Sequence, residues 1–598
     1  MSFNARVAER FERIAKLLEL LGEDKFRVNA HSRASRIIED QTVDLATIAT
    51  DKKALTAIDG IGPKIADKIA EFATSNKIAE LVELEARVPP GLLEVMEIPG
   101  LGPKTVAMLW QQAKVESLED LKRVIADGSI LTLPRMGEKS VEKIKKSIEF
   151  ASEGNRRLEL GVAMPLAESI VEQVRGFPGV LRVAFAGSLR RGKETIGDID
   201  VLVATKDATD TGERFRALPG VLDVLSAGEG KSSVRMRATA DLGRWGAEGT
   251  GPTVQVDLRV IPLDRWGAAL MYFTGSKEHN IRVRERALKR GMTLTDWGLF
   301  PNPDPDDPTP PHKKEGLKPV AAATEREVYA ALGLPEIPPE IREDRGELEV
   351  EQAPRLIEVS DIRAELHAHT TASDGRMSIV ELATEAKRRG FHTIAVTDHS
   401  KSSAIAGGLS PERLREHIRA VHAARGEVAG ITILAGSEVD ILADGSLDYD
   451  DELLAALDVV VASPHASLSQ EPAVATKRLI RAIEHPLVHI LGHPTGRLLN
   501  RRPGLEPDMR AIFEAAQANN VALEINAHWM RLDLRDAHVK GAMDSGCLVA
   551  IDCDVHEKRD FDNLRFGVVT ARRGWVTPER CVNAWGAAKL HGWLKGKR

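Results

Sequence analysis

The chain has 598 residues, 43% hydrophobic and 29% charged, with a formal net charge of −7. That length excludes a single domain and points to about four. The composition is that of soluble globular protein, and the net acidity excludes a basic coat, so any nucleic-acid surface must be local. Cys547, Cys553 and Cys581 have no metal-binding spacing and cannot all pair, which indicates a reducing compartment. No apolar run nears the ~18 residues of a membrane span, and the N-terminus lacks a signal-peptide core. A cytoplasmic protein without a membrane partner is expected.

Residues 1–50 read as amphipathic helices, with Val7, Phe11, Ile14, Leu17, Leu18 and Leu21 at three- and four-residue steps. Two near-copies follow, AIDGIGPKIADKIA at 57–70 and EIPGLGPKTVAML at 97–109, with a weaker echo around Leu133–Ile144. Each reads as a helix, a Gly-x-Gly hairpin and a second helix opening at Pro63 or Pro103, where proline fits the first turn. Hairpin N–H groups beside a helix N-terminus suit one phosphate, and the next lysine adds charge. These helix-hairpin-helix repeats make Gly60, Gly62, Lys64, Gly100, Gly102 and Lys104 candidate contacts to DNA backbone, positioning it without reading bases.

The stretch GSLRRGKETIGDIDVLVA (187–204) follows a Gly-Ser turn and an Arg pair with alternating Ile199, Val201 and Val203, the period of a strand. Asp198 and Asp200 therefore leave the same face. Two such carboxylates repel unless a cation lies between them, and hard oxygen ligands suit Mg²⁺. Asp257, in TVQVDLRV, offers a third acid on a second strand. MYFTGSKEHNIRVR (271–284) breaks at Gly275 and opens a basic helix. Residues 301–315 are too rich in proline for regular structure; a short helix is expected at Thr324–Leu332. Residues 344–360, acidic and polar, read as an interdomain linker.

Fourteen of the 17 histidines lie between 361 and 598. There, short β-branched strands alternate with helices in the pattern of a β/α barrel, and polar clusters gather at strand ends: 365–375, 396–399, 436–440, 463–465, 491–494 and 551–556. His367 and His369 are two apart, as are Asp554 and His556, so each pair faces one way. Mixed His, Asp and Glu ligands without thiolate suit Mn²⁺, Fe²⁺ or Zn²⁺, and so many imply more than one ion.

With these motifs, the chain resembles bacterial family X DNA polymerases, similar to DNA polymerase beta, fused to a PHP (polymerase and histidinol phosphatase) domain. The resemblance implies a multidomain α/β protein. Residues 1–88 would form a helical lyase-like domain and 89–155 a second, fingers-like helix-hairpin-helix domain. A nucleotidyltransferase palm of α+β type would span 156–262 and a thumb-like nucleotide-selection domain 263–343. The 344–360 linker would lead to a distorted β/α PHP barrel at 361–598.

By the same resemblance, Asp198 and Asp200 would bridge two Mg²⁺ ions, and Asp257 would complete the one that activates the primer 3′-OH. Gly187, Ser188 and Arg191 would hold the triphosphate. Tyr272, Phe273 and Gly275 would lie on the sugar side, with Asn280 and Arg284 near the nascent base pair. His367, His369, Asp374, His399, Glu438, His465, His493, Asp554 and His556 would bind up to three Mn²⁺ or Zn²⁺ ions, with Arg497 as a phosphate clamp. Lys68 matches the family's Schiff-base lyase lysine, although His31 stands where a tyrosine is usual and Arg27 where a lysine is frequent.

The implied activity is repair synthesis at gapped or nicked DNA from deoxynucleoside triphosphates, by a monomer with a second 3′-5′ exonuclease site in the barrel. Alternatives are a barrel that hydrolyses small phosphate esters or pyrophosphate, and a scaffold for DNA ends. The two chemistries are expected to separate at the linker, so that residues 1–345 fold alone.

Overall fold

The computed structural model describes residues 3–596 except 42, 99–100, 135, 139, 143, 146–147, 149–156, 239–250 and 303–308. Gly100, part of the third hairpin echo and the middle of the proline-rich loop therefore lie outside the described residues. The chain divides into two compact units, 1–156 and 157–598. No helix among the described residues is long and apolar enough to cross a membrane.

The first unit is helical. Phe3–Leu20 buries Val7, Phe11, Ile14, Leu17 and Leu18 along one face, and Asp24 caps the next helix, Lys25–Glu39, by accepting from the Phe26 N–H. Helices Pro63–Ser75 and Pro103–Ala113 each open on proline after a glycine. Their inner faces, Ile65 and Ile69 in one and Val106 and Leu109 in the other, join one core.

In the second unit, the palm is a five-stranded sheet of β1 (Val180–Phe185), β2 (Asp198–Thr205), β3 (Val221–Ala227), β4 (Lys231–Arg237) and β5 (Thr253–Val260), in the order β1-β2-β5-β4-β3. Only β2 and β5 run parallel, with Asp200 opposite Asp257. Ile199, Val201 and Val203 face the buried side, which leaves the intervening acids on the other face. Helices Trp266–Thr274 and Lys277–Leu288 and the hairpin of β6 (Met292–Thr295) and β7 (Gly298–Pro301) follow. Helix Glu325–Ala331, capped by Thr324, closes this thumb.

The C-terminal part is a seven-stranded, all-parallel sheet in sequence order: β8 (Ala364–Glu365), β9 (Thr393–Val396), β10 (Thr432–Asp440), β11 (Val459–Ser463), β12 (Ile490–Leu491), β13 (Ala522–Asn526) and β14 (Leu548–Asp552). Beyond β8 and β14 the chain pairs again, Ala368 with Val555, so the first and last strands meet. The His369 N–H donates to the Val555 carbonyl and the Val555 N–H to that of His367.

The structure corrects the separation expected at the linker. The palm core of Leu160, Val162, Leu166 and Ile199 also takes in Leu499, Leu532, Trp529 and Phe566 from the barrel side. Arg565 adds an ion pair to Glu168 at 2.8 Å. Residues 344–360 are not a free spacer. Glu347 is fully buried, and Leu348, Leu356 and Ile357 are buried too, because the acids that made this stretch look solvated have basic partners far away in sequence.

Candidate active sites

The barrel's polar clusters converge at the C-terminal ends of its strands, where β/α barrels place their chemistry. Eight of the nine expected ligands fall into three groups: His369 with Asp374, His399 and His556; His367 with His369 and Asp554; and His399 with Glu438 and His465. Within each group the ligand atoms lie within 4.8 Å of one another. The ninth, His493, has Nε2 at 2.7 Å from Glu438 Oε1. Glu438 is the hub, with His399 Nδ1 at 2.8 Å, His465 Nε2 at 3.1 Å and His367 Nε2 at 3.3 Å. Asp374 and His556, 3.3 Å apart, form the more open rim.

The residues fit divalent cations. Nε2 of His367 and His369, Nδ1 of His399 and Oε2 of Glu438 are buried and make no hydrogen bond, although each lies close to another ligand atom; atoms arranged so suit a shared ion. Burial opposes the Glu438 charge, but the imidazoles of His465, His367 and His399 more than offset it and hold its carboxyl well below the usual range. Asp554 takes a left-handed backbone, φ 54°, which a non-glycine residue adopts at some cost.

A further layer orients these rings, as outer partners of metal ligands do. Glu524 Oε1 lies 2.6 Å from His367 Nδ1, Asp440 Oδ1 2.8 Å from His465 Nδ1, and the Asn526 amide donates to Asp554 at 3.1 Å.

On the palm, Asp198, Asp200 and Asp257 come together across the β2–β5 pair. Lys231 Nζ lies 2.6 Å from Asp257, and Arg259 approaches both Asp200 (3.8 Å) and Asp257 (3.9 Å). Burial, then the Asp198 charge, pushes Asp200 up to about 6. Burial alone would raise Asp257 too, but hydrogen bonds from Lys231 and Ser233 take it below the ordinary range. Carboxylates crowded against each other and compensated by nearby cations are a set that divalent ions would relieve.

Gly187, at φ 64°, opens the turn Gly187–Arg190 that holds Ser188; a side chain there would meet Asp200 Oδ2 at 2.9 Å. Arg191 reaches across to the thumb, donating from Nη1 to the Thr274 carbonyl at 2.5 Å. Tyr272 and Phe273 meet edge to face, their centroids 5.3 Å apart, just before Gly275 at φ 72°. The Asn280 amide donates to the Tyr272 carbonyl at 2.7 Å, and Arg284 Nε donates to the Asn280 carbonyl. Tyr272, Asn280 and Arg284 line one small crevice.

Comparison with known proteins finds matches to several families along the chain. The chain matches a helix-hairpin-helix domain over residues 2–78 and a SAM-like helix-hairpin-helix tandem over 92–149. It matches the DNA polymerase beta palm over 163–232, the DNA polymerase beta thumb over 269–343 and the PHP domain over 365–528. It is 35% identical over 585 residues to the DNA polymerase/3′-5′ exonuclease PolX of Bacillus subtilis (strain 168), covering 98% of both chains. The chain belongs to the family X DNA polymerases that carry a C-terminal PHP domain. A DNA polymerase lambda from Arabidopsis thaliana is 26% identical over 348 residues, 57% of this chain and 62% of its own. A Syntrophotalea carbinolica protein named "Probable phosphatase" is 31% identical over 173 residues, 28% of this chain and 67% of its own.

In this family X polymerase, Gly62 and Gly102 share φ −76° at their hairpins. A Cβ on either would meet nothing within 4 Å, whereas Gly60, at φ 82°, would drive one into Ile37. Lys64 and Lys104 are exposed. Lys68 Nζ lies 2.9 Å from Glu80, and the same carboxylate takes Arg27 at 2.8 Å and His31 at 3.2 Å.

Arg497, expected at the nuclease as a phosphate clamp, is instead committed to the palm. It pairs with Glu194 at 2.7 Å and donates to the Leu532 carbonyl. Arg531 stands at the metal cluster in its place, with Nε 3.6 Å from Asp554. Neither it nor Lys231, Arg259, Glu524 or Asn526 was singled out in the sequence, and Asp440 was seen only as part of the 436–440 cluster, without a role of its own. Glu524 and Asn526 alone carried a signal, as polar residues two apart at the end of an apolar strand.

Proposed function

We propose that this polymerase fills gaps in DNA, using its palm for synthesis and its barrel for 3′-5′ removal of nucleotides at the same ends. The observation that carries the reading is that one chain holds two separate, complete sets of oxygen and nitrogen ligands. One faces a Gly-Ser-Arg loop on the palm, and the other sits at the mouth of a parallel barrel.

At the palm, Asp198, Asp200 and Asp257 would hold Mg²⁺. Bound there, the ions would lower the pKa of the primer 3′-OH and neutralise the leaving pyrophosphate. Ser188, Gly187 and Arg191 hold the triphosphate, Tyr272 and Phe273 flank the sugar, and Asn280 and Arg284 stand by the nascent pair. The hairpins at Gly62–Lys64 and Gly102–Lys104 fix the duplex backbone and so its register.

In the barrel, the nine ligands would hold up to three ions, Mn²⁺ or Zn²⁺, which would supply a nucleophile from water and neutralise charge on the phosphate. Glu524, Asp440 and Asn526 keep the ligand side chains in place, and Arg531 steadies the scissile phosphate. Lys68, the candidate lyase lysine, is paired with Glu80 in the structure, together with Arg27 and His31. The enzyme acts as a monomer in the cytoplasm, in keeping with three unpaired, buried cysteines.

The test is a 5′-labelled gapped duplex incubated with Mg²⁺ or Mn²⁺, with and without nucleotides. Extension with nucleotides and shortening from the 3′ end without them are expected. A second reading, prompted by the 173-residue likeness to the protein named "Probable phosphatase", has the barrel hydrolyse small phosphate esters. Turnover of such esters without any shortening of DNA would establish it instead.

A further inference from the structure

The helix Leu564–Arg573 belongs to the barrel and carries none of its metal ligands, yet it ends against the nucleotide loop of the palm. Gly192 closes that loop at φ 68°, and a side chain there would come within 2.1 Å of Val569 on this helix. One turn on, Arg573 is buried and, besides a longer bond from Nη1 to the Glu340 carbonyl at 3.4 Å, is committed at three points. Its Nη1 donates to the Arg191 carbonyl at 2.6 Å and to Glu343 Oε1 at 3.0 Å, and its Nη2 donates to Asp536 at 2.6 Å. The same Glu343 oxygen accepts from Arg191 Nε at 2.9 Å. Arg191 is thus held at its carbonyl and Nε through Arg573 and Glu343, and at Nη1 by the thumb.

We propose that Arg573 is a positioning residue of the polymerase: from the barrel it fixes Glu343 and the Arg191 backbone, and so sets the angle at which Arg191 meets the incoming triphosphate. This rests on the reading of Arg191 as a triphosphate ligand. Glu343 does not simply sequester Arg191, because it also serves Arg573 and Lys193, the latter at 3.6 Å. Burial would raise the Glu343 carboxyl, but the charges of Arg573, Lys193 and Arg191 hold it well below its usual range, so it stays an acceptor for all of them. A guanidinium already fixed at two nitrogens loses less freedom on meeting phosphate than one free to rotate. Nucleotide affinity then becomes a property of barrel and palm together.

The experiment is single-nucleotide gap filling by the full-length protein carrying Arg573→Lys, with Arg191→Ala alongside and 3′ nuclease activity and melting temperature measured on the same preparations. Lysine keeps the buried charge but cannot bond Glu343, Asp536 and the Arg191 carbonyl together in one plane. Arg573→Lys is expected to raise the nucleotide KM about three- to tenfold, with kcat and nuclease within about twofold, and Arg191→Ala to raise KM about tenfold or more. Glu343→Gln, which keeps the shape and removes the charge, should raise KM as Arg573→Lys does, and the double variant should add little to either single one. An unchanged KM in Arg573→Lys beside a raised one in Arg191→Ala overturns the relay alone. Parallel loss of KM, kcat, nuclease and melting temperature in Arg573→Lys reduces Arg573 to a structural role and overturns it too. An unchanged KM in Arg191→Ala overturns the triphosphate reading, and the relay with it.

Discussion

Trp529, on the barrel side, lies so close against Gly161 of the palm helix Leu160–Arg175 that a Cβ on the glycine would come within 2.3 Å of the tryptophan Cβ. The contact seats an indole in the core that palm and barrel share, beside Leu499, Leu532 and Phe566. Gly161→Val is expected to destabilise this joint by about 1–3 kcal/mol, the usual cost of overpacking, lowering the melting temperature in a thermal scan. A chain ending at Arg345 would leave that palm face in water. Its palm should melt below the temperature at which the palm unfolds in the full chain; equal melting would mean that the shared core contributes nothing.

The palm carboxylates should be a liability without metal. The native state holds Asp200 at about 6, above its value in the unfolded chain, so the folded protein binds the extra proton between about pH 4 and 6. Stability therefore falls as pH rises through that window, and the full penalty is present above it. Asp200→Asn is expected to stabilise metal-free protein by on the order of 1–2 kcal/mol at pH 7 and hardly at all near pH 4. A gain of the same size at both pH values would remove the electrostatic explanation. Added Mg²⁺ should narrow the difference by stabilising the wild type.

Asp257→Ala should reduce nucleotide incorporation by on the order of a hundredfold or more, while binding to gapped DNA, which rests on phosphate contacts, changes by only a few fold. Nuclease activity should persist. Near wild-type extension by this variant would remove Asp257 from the catalytic set.

In the barrel, His367→Ala with His369→Ala should abolish the nuclease and leave synthesis intact. Glu524→Gln leaves every ligand in place but weakens the hold on His367; about a ten- to hundredfold loss of Mn²⁺ affinity is expected, read by titration calorimetry as well as by cleavage. Unchanged metal affinity would show that the ring needs no such support.

Gly62 and Gly102 offer a clean separation of DNA binding from stability. Their backbones suit any residue, and nothing among the described residues obstructs a Cβ. Gly62→Val with Gly102→Val should leave the melting temperature within a few degrees yet weaken binding to all DNA sequences alike. Loss confined to one sequence class would contradict a backbone contact.

The clustering of the candidate ligands was legible because chemistry and period coincide: Asp198 and Asp200, or His367 and His369, are adjacent on one strand face and need no tertiary knowledge to be paired. The barrel was legible because six strand ends repeat one device. What stayed hidden depends on long-range charge. Nothing near Arg497 announces Glu194, 303 residues away, and Glu347 reads as a solvated acid until His279 is brought to it. The apolar residues of 344–360 were too diluted by such acids to show that the segment is packed.

The barrel closes by joining its first strand to its last, at Ala368 and Val555, and two of the nine ligands, Asp554 and His556, arrive with that last strand. Asp552 just before them is held by Asn583, which donates to it at 2.6 Å. A ribosome translating this chain has delivered all three palm acids by residue 257, but the barrel's candidate ligand set stays incomplete until residue 556 emerges, and Asp552 gains its Asn583 partner later still. The proposed DNA-degrading centre is thus withheld from every unfinished chain.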